Sequence, residues 1–528
     1  MLRRPFPGRL LDPFLLLFPV LFLFGACSPF ALLPSTRPAP QICQRAEAKR
    51  TEAMDLAWNQ AKLAPATSLL AEAITLDPTD ILAHWHQAQL FQLQGDRERA
   101  FDHWLQAAAL DHPLAEAAMV EAYQCYSQRP QAERLARVLN AVAHSENRSF
   151  LLRARALEIL GKTFRSLGKL RAANAAFEEL NPLKDWMVLG PFDNDQNAGF
   201  ETAFPPEKSL SDFQGEYQGK LHKIHWLPVT HFGFDERVPL ESLLDPHRWA
   251  TAYLVSHVHS AQAQEIAMRL GANRGIKLWL NGNLLLSNDE AKGAHLDQHV
   301  VAARLKQGWN RIMVKACQGT GRWQLRLRLT TTDGARLMGV QSSRAWQRVQ
   351  ADSDAAQPAA PASLQRWFDE AAQQAKPELA LIRSWWMHRQ GFKKAALKQM
   401  LKQAAVHEAS PLHQLLLAEL HFASGHEGLA LKALSRVEAL TPGLAKAILR
   451  RVEHEADQKR PDRALRLLQP LLKITPPPQD AESDQALLLL RKGWKEDALR
   501  VITASLQSRP QRAWTWKVKS ILHRRMQQ

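Results

Sequence analysis

A spacing of 34 residues dominates the last third of this 528-residue chain. Alanine recurs at this spacing without a miss, a larger apolar residue follows each alanine, and proline ends three of the four units: Ala396, Ala430, Ala464, Ala498; Met400, Leu434, Leu468, Ile502; Pro442, Pro476, Pro510. Such a period is typical of repeated helix pairs, each with an apolar face that only a neighbouring pair covers. Residues 363–528 are therefore predicted to form four stacked helix pairs, followed by a capping helix.

The same period occurs, more weakly, before residue 184. Ala66 and Ala100 are 34 residues apart, but the third position holds Arg134. Both regions resemble the tetratricopeptide repeat, in which small residues lie where paired helices touch. The resemblance implies two α-solenoid arms, residues 43–184 and 363–528, in which the first helix of each pair lines a concave face that binds peptides.

Residues 185–335 carry the pattern of β-strands. Alternating apolar residues precede Asn281-Gly282 and resume after it. An Asn-Gly pair in this setting is a strong hairpin signal, because both turn residues adopt positive φ. In the segment Gln324–Thr330, leucines alternate with arginines, which predicts a strand with one buried face. We therefore expect a β-sandwich flanked by the two helical arms.

Four phrases of this region resemble a known module: Leu189–Asn194, Gly199–Thr202, Leu278–Gly282 and Gly308–Arg311. They are similar to the galactose-binding-like jelly roll that lies between tetratricopeptide repeats and a transglutaminase-like domain in large bacterial envelope proteins. After residue 332 the chain lacks the Cys, His and Asp order of a transglutaminase, and common nucleotide-binding and hydrolase motifs are not found. The resemblance thus extends to the non-catalytic part of those proteins, and we expect no catalytic site, metal or cofactor.

The N-terminus has the features of an export signal. Arg3, Arg4 and Arg9 precede the apolar run Phe14–Phe24, which is too short to span a bilayer as a helix. The small residues before Cys27 resemble a bacterial lipoprotein signal, which implies cleavage after residue 26 and lipidation of Cys27. Conventional secretion and an uncleaved anchor are the alternatives.

Two proline-rich or alanine-rich stretches are predicted to be extended. Residues 27–42 would form a tether above the membrane, and residues 336–362 a linker before the second arm. Ser28 after the lipidated cysteine favours the outer membrane by analogy with enteric lipoprotein sorting. The expected location is the envelope of a Gram-negative-type bacterium, on a lipoprotein that faces the periplasm or the surface.

A partner-binding groove is predicted on the second arm. Counting back from the turn glycines Gly391 and Gly425 assigns Trp385, His388, Glu419 and Phe422 to the concave face. An aromatic anchor among polar groups suits a peptide partner. The alternative is that Trp385 only covers the neighbouring helix; Trp386, the next residue, is predicted to pack inward.

A second set of candidates lies in the sandwich. Trp279 and Trp309 would stack on the face of a sugar, and Asn281 and Asn283 would bind its hydroxyl groups. The alternative is that the tryptophans fill the sandwich core and that turn geometry explains Asn281.

Three further sets of residues have both a chemical and an ordinary structural interpretation. His257 and His259 would point to the same face of a strand and could ligate a metal. Cys317, next but one to Lys315, would be reactive if its pKa were lowered. Cys43 and Cys125 would pair in an oxidising compartment. For each set the structural role is the favoured interpretation.

The net charge of +16 is concentrated in the second arm, where residues 363–528 contain 28 Lys and Arg against 16 Asp and Glu, or 28 − 16 = +12. A solvated helical surface explains this, and so does attraction to membrane head groups, an acidic polymer or an acidic protein. Export argues against nucleic acid as a partner. The sequence favours a lipid-anchored envelope scaffold that binds a protein or peptide partner; the alternatives are a carbohydrate-binding envelope protein and an enzyme whose site the sequence does not reveal.

Overall fold

The computed structural model describes residues 37–210, 212–290, 293–349, 360–371, 377–403, 408–478 and 481–526. The predicted signal peptide (1–26), Cys27 and residues 27–36 of the predicted tether lie outside these ranges. Helices occupy both ends of the described chain and strands occupy the middle, so the predicted order of helical, β and helical regions is confirmed. Within the described residues, no helix is both long and apolar enough to cross a membrane.

The N-terminal array consists of four helix pairs: α1 (Pro40–Trp58), α2 (Leu63–Leu76), α3 (Ile81–Gln94), α4 (Arg97–Ala109), α5 (Ala115–Cys125), α6 (Arg129–Ala143), α7 (Phe150–Ser166) and α8 (Leu170–Glu179). Consecutive helices contact each other within and between pairs, as in a solenoid. Helix α1 begins inside the stretch 27–42, so the last residues of the predicted tether are helical instead.

A buried alanine stands at the fourth residue of the second helix in every pair of this array: Ala66, Ala100, Ala132 and Ala173. The prediction that Arg134 occupies the third of these positions is wrong. Helix α5 has 11 residues where α3 has 14, so α6 begins early and its register slips by two. Arg134 instead forms an ion pair with Asp102 across 2.9 Å.

The central region is a sandwich of two antiparallel sheets. Its main strands are β1 (Met187–Asp193), β6 (Ala250–Ser260), β7 (Gln264–Ala272), β8 (Ile276–Leu280), β9 (Asn283–Asn288), β10 (His299–Leu305), β11 (Gly308–Gln318) and β12 (Gln324–Thr330). Shorter elements complete it: β2 (Tyr217–Gln218), β3 (Lys223–Ile224), β4 (Leu227–Pro228), β5 (Val238–Pro239), β13 (Val340–Ser343), α9 (Pro205–Lys208) and α10 (Leu240–Leu243). The larger sheet runs β4-β1-β6-β11-β8-β9, with β13 also paired to β6, and the smaller sheet runs β10-β7-β12-β5.

Leucines, valines and isoleucines of both sheets meet in one core between the sheets. The predicted hairpin is confirmed: β8 and β9 pair antiparallel across Asn281-Gly282, whose φ angles are 52° and 93°. Strand β12 directs its leucines into this core, but Arg326 and Arg328 on its other side are also buried. The expectation of a strand with only one buried face is therefore wrong, because α7 of the N-terminal array covers the arginine side.

The C-terminal array contains α11 (Leu364–Ala371), α12 (Pro377–Arg389), α13 (Lys393–Gln403), α14 (Pro411–Ala423), α15 (Glu427–Leu440), α16 (Ala445–Asp457), α17 (Pro461–Leu472), α18 (Ala481–Arg491), α19 (Lys495–Ser508) and α20 (Ala513–Met526). The four alanines of the 34-residue period are each fully buried. In the predicted linker, residues 336–362, the structure places β13, because residues 340–343 continue the larger sheet along β6.

The two arrays that flank the sandwich also pack against each other. Helices α14 and α16 pack against α1 and α3, and one apolar core contains residues of both arrays. Gly95, with φ of 82°, permits this approach, because a Cβ there would lie 3.0 Å from Pro478 and 3.1 Å from Ala445. The first helices of the N-terminal array thus face those of the C-terminal array.

Candidate functional site

The contact between the arrays is built around α3. All but three of its fourteen residues are buried, including Trp85. The indole of Trp85 meets Trp104 of its own array at 4.7 Å between ring centroids and Trp385 of α12 at 5.2 Å, both edge to face. Such pairs stabilise a contact beyond the area that they bury. This aromatic contact packs α12 against α3.

A cleft of about 400 Å³ remains between the two arrays. Helices α3 and α5 form one wall, and α12, α14 and α16 form the other. Its lining combines apolar side chains with polar ones, including Leu93, Leu381, Leu412, Leu415, Gln89, Gln92, Gln124, His388, Glu419 and Lys446. A volume of this size and a mixed lining are typical of ligand sites.

Three of the four predicted groove residues meet at this cleft. Trp385, His388 and Glu419 line it, whereas Phe422 does not. Phe422 packs instead under the guanidinium of Arg450, 4.0 Å from its ring centroid, because it lies on the side of α14 that faces α16. Trp385 combines both interpretations considered for it, since it covers Trp85 and also borders the cleft.

Trp386 is buried in the core of the N-terminal array and α11, as predicted. Two neighbouring tryptophans of α12 therefore have different surroundings. Of these two side chains, Trp385 is half-buried and contacts both the core and the cleft.

Charged residues frame the cleft. Arg389 of α12 reaches Glu121 of α5 at 3.0 Å and so bridges the two walls. On the other side Arg450 binds Glu419 at 3.0 Å. Lys446 is exposed and has no ion pair within the described part of the chain. Cations thus outnumber the carboxylates at the cleft, which favours an occupant that carries negative charge.

His388 is a titratable side chain that lines the cleft. Burial lowers the pKa of its imidazole, Arg389 lowers it further, and Glu419 opposes them. The ring is therefore neutral at neutral pH. Its Nδ1 atom is buried and has no hydrogen-bond partner among the described residues. A ligand that supplies one would satisfy this atom, which otherwise costs free energy.

A buried ion cluster closes one end of the contact between the arrays. Arg50 of α1 binds Glu378 of α12 at 2.7 Å and Asp80 at 2.9 Å, and His86 lies 3.2 Å from Glu378. Burial alone would raise the pKa of Glu378, but His86 and Arg50 outweigh it and lower that pKa to about 2. The carboxylate stays ionised at neutral pH and ties the first helices of the two arrays together.

Sequence reasoning missed the wall that the N-terminal array supplies. Gln89, Gln92 and Glu121 lie on first helices of that array, whereas all the predicted groove residues lie on the second arm. A signal was present: residues 81–94 contain no Asp, Glu, Lys or Arg. A repeat helix without charge is buried on more than one side, so α3 required a second covering surface besides its own array.

The sandwich candidates are not brought together as a sugar site. Trp279 is buried against the outer face of the larger sheet and lines a cavity of about 120 Å³ with residues that include Glu207 and Arg311. Asn281, 3% exposed, serves the turn: its Oδ1 accepts from the Arg311 amide at 2.8 Å and its Nδ2 donates to Asn310 Oδ1 at 2.9 Å. Asn283 is exposed and does not line that cavity.

Trp309 is half-buried, and its ring lies 5.2 Å from that of His259. His257 points to the same side of β6 but is enclosed by the rings of Phe213 and Trp346. Among the described residues no group of three His, Cys, Asp or Glu side chains is arranged to hold a metal ion.

The cysteines have no reactive setting in the described residues. Burial raises the pKa of Cys317 to about 11, so the lowered value considered for it is wrong. Cys43 and Cys125 are both free thiols, and Cys125 donates to the backbone oxygen of Arg97 at 3.2 Å.

Comparison with known proteins adds little. No family model matches the chain, and no curated protein matches it. Among solved structures 31 chains match. One is the crystal structure of the P58(IPK) TPR domain, which is 11% identical in an alignment that covers 92% of this chain and 98% of that one, with a TM-score of 0.18. At so low a TM-score the alignment supports no function.

Proposed function

We propose that this protein is a non-catalytic scaffold of a bacterial cell envelope that binds an extended peptide segment of a protein partner in the cleft between its two helical arrays. The observation that carries the proposal is the cleft itself. It has a half-buried tryptophan, Trp385, beside a histidine nitrogen that lacks a hydrogen-bond partner among the described residues, and glutamines on the facing wall.

The lining favours a peptide over a purely apolar ligand. A peptide backbone carries a donor and an acceptor at every residue, and the side chains of Gln89, Gln92, Gln124 and His388 offer both kinds of partner. The leucines of α12 and α14 would take one or two apolar side chains. The excess of cations at the rim favours an acidic segment.

Trp385→Ala tests this function. We expect partner capture from envelope extract to weaken roughly 30-fold, because truncation of a buried aromatic anchor costs about 2 kcal/mol or more of binding free energy. Trp309→Ala is the matched control, since both tryptophans are half-buried and lie in different regions. Both variants need melting curves, so that a folding defect is recognised.

The control also tests the alternative function. If capture survives Trp385→Ala but retention on envelope glycans is lost in Trp309→Ala, the sandwich is the binding region and the cleft proposal is wrong. Asn283→Ala would then be expected to weaken the same retention.

Membrane attachment is the second part of the proposal. It rests on the sequence before residue 37, where Cys27 would carry the lipid and Ser28 would favour the outer membrane. Stable attachment needs more than one acyl chain, which lipoprotein maturation supplies. We expect Cys27→Ser to abolish acyl labelling and to release the chain or leave it unprocessed; labelling that persists in this variant would contradict the anchor.

A further inference from the structure

A small pocket lies on the outer face of the larger sheet, where the chain around α9 crosses β8 and β11. Its volume is about 120 Å³, and residues 206–210 form one wall. Trp279 of β8 and Met313 of β11 are partners in the strand register and form an apolar wall. Both side chains are buried, in a cluster separate from the core between the sheets. The pocket shares no lining residue with the cleft between the arrays.

Arg311 of β11 brings a positive charge to this pocket. It lies two residues before Met313, so both side chains project from the outer face. The guanidinium is half-buried, and the ring of Trp346 lies 5.7 Å from its Cζ atom. It donates one hydrogen bond, from Nη1 to the backbone oxygen of Leu210 at 3.2 Å, and makes no ion pair with any described residue. Four of its five N–H donors therefore have no acceptor in the described part of the chain.

The buried arginines of the sandwich differ from Arg311 in this respect. Each of them binds a carboxylate of the chain: Arg269 and Arg328 bind Asp297, and Arg326 binds Glu158. An arginine withdrawn from water is ordinarily paired, because a desolvated charge without a counterion is costly. Burial lowers the pKa of Arg311, and no carboxylate of the described chain opposes that effect. A ligand in the pocket would supply the counterion.

The pocket's own carboxylate is already engaged. Among the described residues that line the pocket, Glu207 is the only acid. Its Oε1 atom accepts from the fully buried Lys315 at 2.7 Å and from the hydroxyl of Tyr253. Lys208 at the rim is exposed and makes no ion pair in the part of the chain that the structure describes. Two cations of the lining, Arg311 and Lys208, thus lack a counterion, which favours an anionic occupant.

We propose that this pocket binds a small carboxylic acid, with the carboxylate on the guanidinium of Arg311 and the apolar part on Trp279 and Met313. The planar fork of arginine matches a carboxylate and fixes its orientation through two parallel hydrogen bonds. Since an apolar cavity of about 150 Å³ accepts benzene, a volume of about 120 Å³ suits an acid of roughly five non-hydrogen atoms, such as propionate.

The same chemistry has two sources. Lys208 and Ser209 at the rim are exposed, so the pocket opens to solvent. The acid group of a larger molecule, such as a uronic acid, would therefore also fit, with the rest of the sugar outside. The site is independent of the peptide cleft, because it lies wholly on the sandwich.

Calorimetric titration of the purified protein tests the proposal. Propionate should bind at least roughly tenfold more tightly than propionamide, its neutral isostere, because only the acid pairs with the guanidinium. Galacturonate and galactose distinguish the sources. Tighter binding of galacturonate than of propionate would identify an acidic sugar, and the reverse order a free acid. Galactose that binds as tightly as galacturonate would overturn the role of the carboxylate.

Arg311→Gln should weaken the binding of propionate roughly tenfold or more, and Arg311→Lys should restore part of it, because lysine keeps the charge but not the fork. Arg274→Gln is the matched control. Arg274 is also half-buried and makes no ion pair among the described residues, but it does not line the pocket. Its loss should leave the affinity unchanged.

A variant at the exposed rim covers the case in which Arg311→Gln fails to fold, which melting curves would reveal. Lys208→Gln should weaken the binding of propionate roughly two- to fivefold, the effect expected of an exposed ion pair. The proposal fails if none of the acids binds, if propionamide binds as tightly as propionate, or if Arg274→Gln weakens binding as much as Arg311→Gln does.

Discussion

The sandwich and the C-terminal array both pack against the N-terminal array, but with different chemistry. Helix α7 meets the smaller sheet through buried charges, whereas α3 meets α12 through aromatic rings, with one ion cluster at the edge of that contact. The cleft lies beside the aromatic contact. The charged junction defines how the sandwich is oriented on the N-terminal array. The aromatic contact leaves room beside it for a partner.

The charged junction is centred on Glu158. Its carboxylate receives Arg155 at 2.6 Å, Lys162 at 2.8 Å and Arg326 of β12 at 3.2 Å; Glu158 and both arginines are buried, and Lys162 is half-buried. Burial would raise the pKa of Glu158, but the three cations hold it well below its usual range. Each partner needs a defined position, because an unpaired charge in this environment is costly.

A neighbouring carboxylate extends the junction. Asp297, in the loop before β10, binds Arg328, and Arg269 of β7 lies 3.5 Å away. These arginines lower the pKa of Asp297 to about 2 against the effect of burial. The arginine side of β12 thus finds its anions on α7 and on this loop, which orients the sandwich on the array.

The aromatic contact restricts the relative positions of α3 and α12 less strictly than the charged junction restricts those of α7 and the smaller sheet. Edge-to-face rings such as Trp85 and Trp385 tolerate small shifts without leaving a charge unpaired. A cleft beside such a contact can adjust to an occupant at lower cost than one beside the charged junction. We therefore expect substitutions to affect the two junctions unequally.

The largest expected effect is at the charged junction. Glu158→Gln should lower the free energy of unfolding by roughly 3–5 kcal/mol, because it leaves buried cations without their shared anion. Urea denaturation measures this change. Glu133→Gln is the control, since Glu133 pairs with Arg129 on an exposed surface and its loss should cost less than about 1 kcal/mol. Equal losses of stability from the two substitutions would show that the buried charges of this junction matter no more than an exposed ion pair.

A pH-dependent effect is expected where β10 meets the C-terminal array. His299 contacts the Phe392 ring at 5.3 Å, and burial lowers the pKa of the imidazole to about 4. The unfolded chain then binds more protons between about pH 6.5 and 4, so stability is lost as the pH falls through that window, by roughly 3 kcal/mol in all.

His299→Phe should remove this pH-dependent contribution, so that the free energy of unfolding falls less steeply as the pH is lowered. Urea denaturation at several pH values measures this. His222→Gln, at an exposed position, is the control. If His299→Phe does not change how the free energy of unfolding depends on pH between pH 6.5 and 4, protonation of His299 does not limit the acid stability of this contact.

The smallest of the three effects concerns contacts inside an array. Ala464→Leu should cost roughly 1–3 kcal/mol, because the fully buried alanine lies where paired helices approach and a longer side chain overpacks the contact. Ala439→Leu adds the same atoms at an exposed position of α15 and should be nearly neutral. Melting curves that respond alike to the two would contradict the helix register.

The sequence by itself determined the local structure. The 34-residue period identified the buried alanines of the second array, Asn281-Gly282 identified the hairpin, and helical counting put Trp386 in the core. Three of four groove residues lie on one cleft for the same reason. These features follow from patterns of period 3.6 or 2 within single elements, and such patterns record which side of an element is apolar.

Only the tertiary structure decided which surface each side of a helix or strand packs against. Arg50 and Glu378 are 328 residues apart in the chain, and no periodicity relates them. From the sequence alone, the arginine side of β12 is expected to be solvent-exposed, but α7 and its carboxylates cover it. Phe422 lies outside the cleft because α16 supplies Arg450, on which its ring packs. A pattern cannot specify a partner from another region, because charge and apolarity on one element are satisfied equally well by several surfaces; only packing of the whole chain selects one.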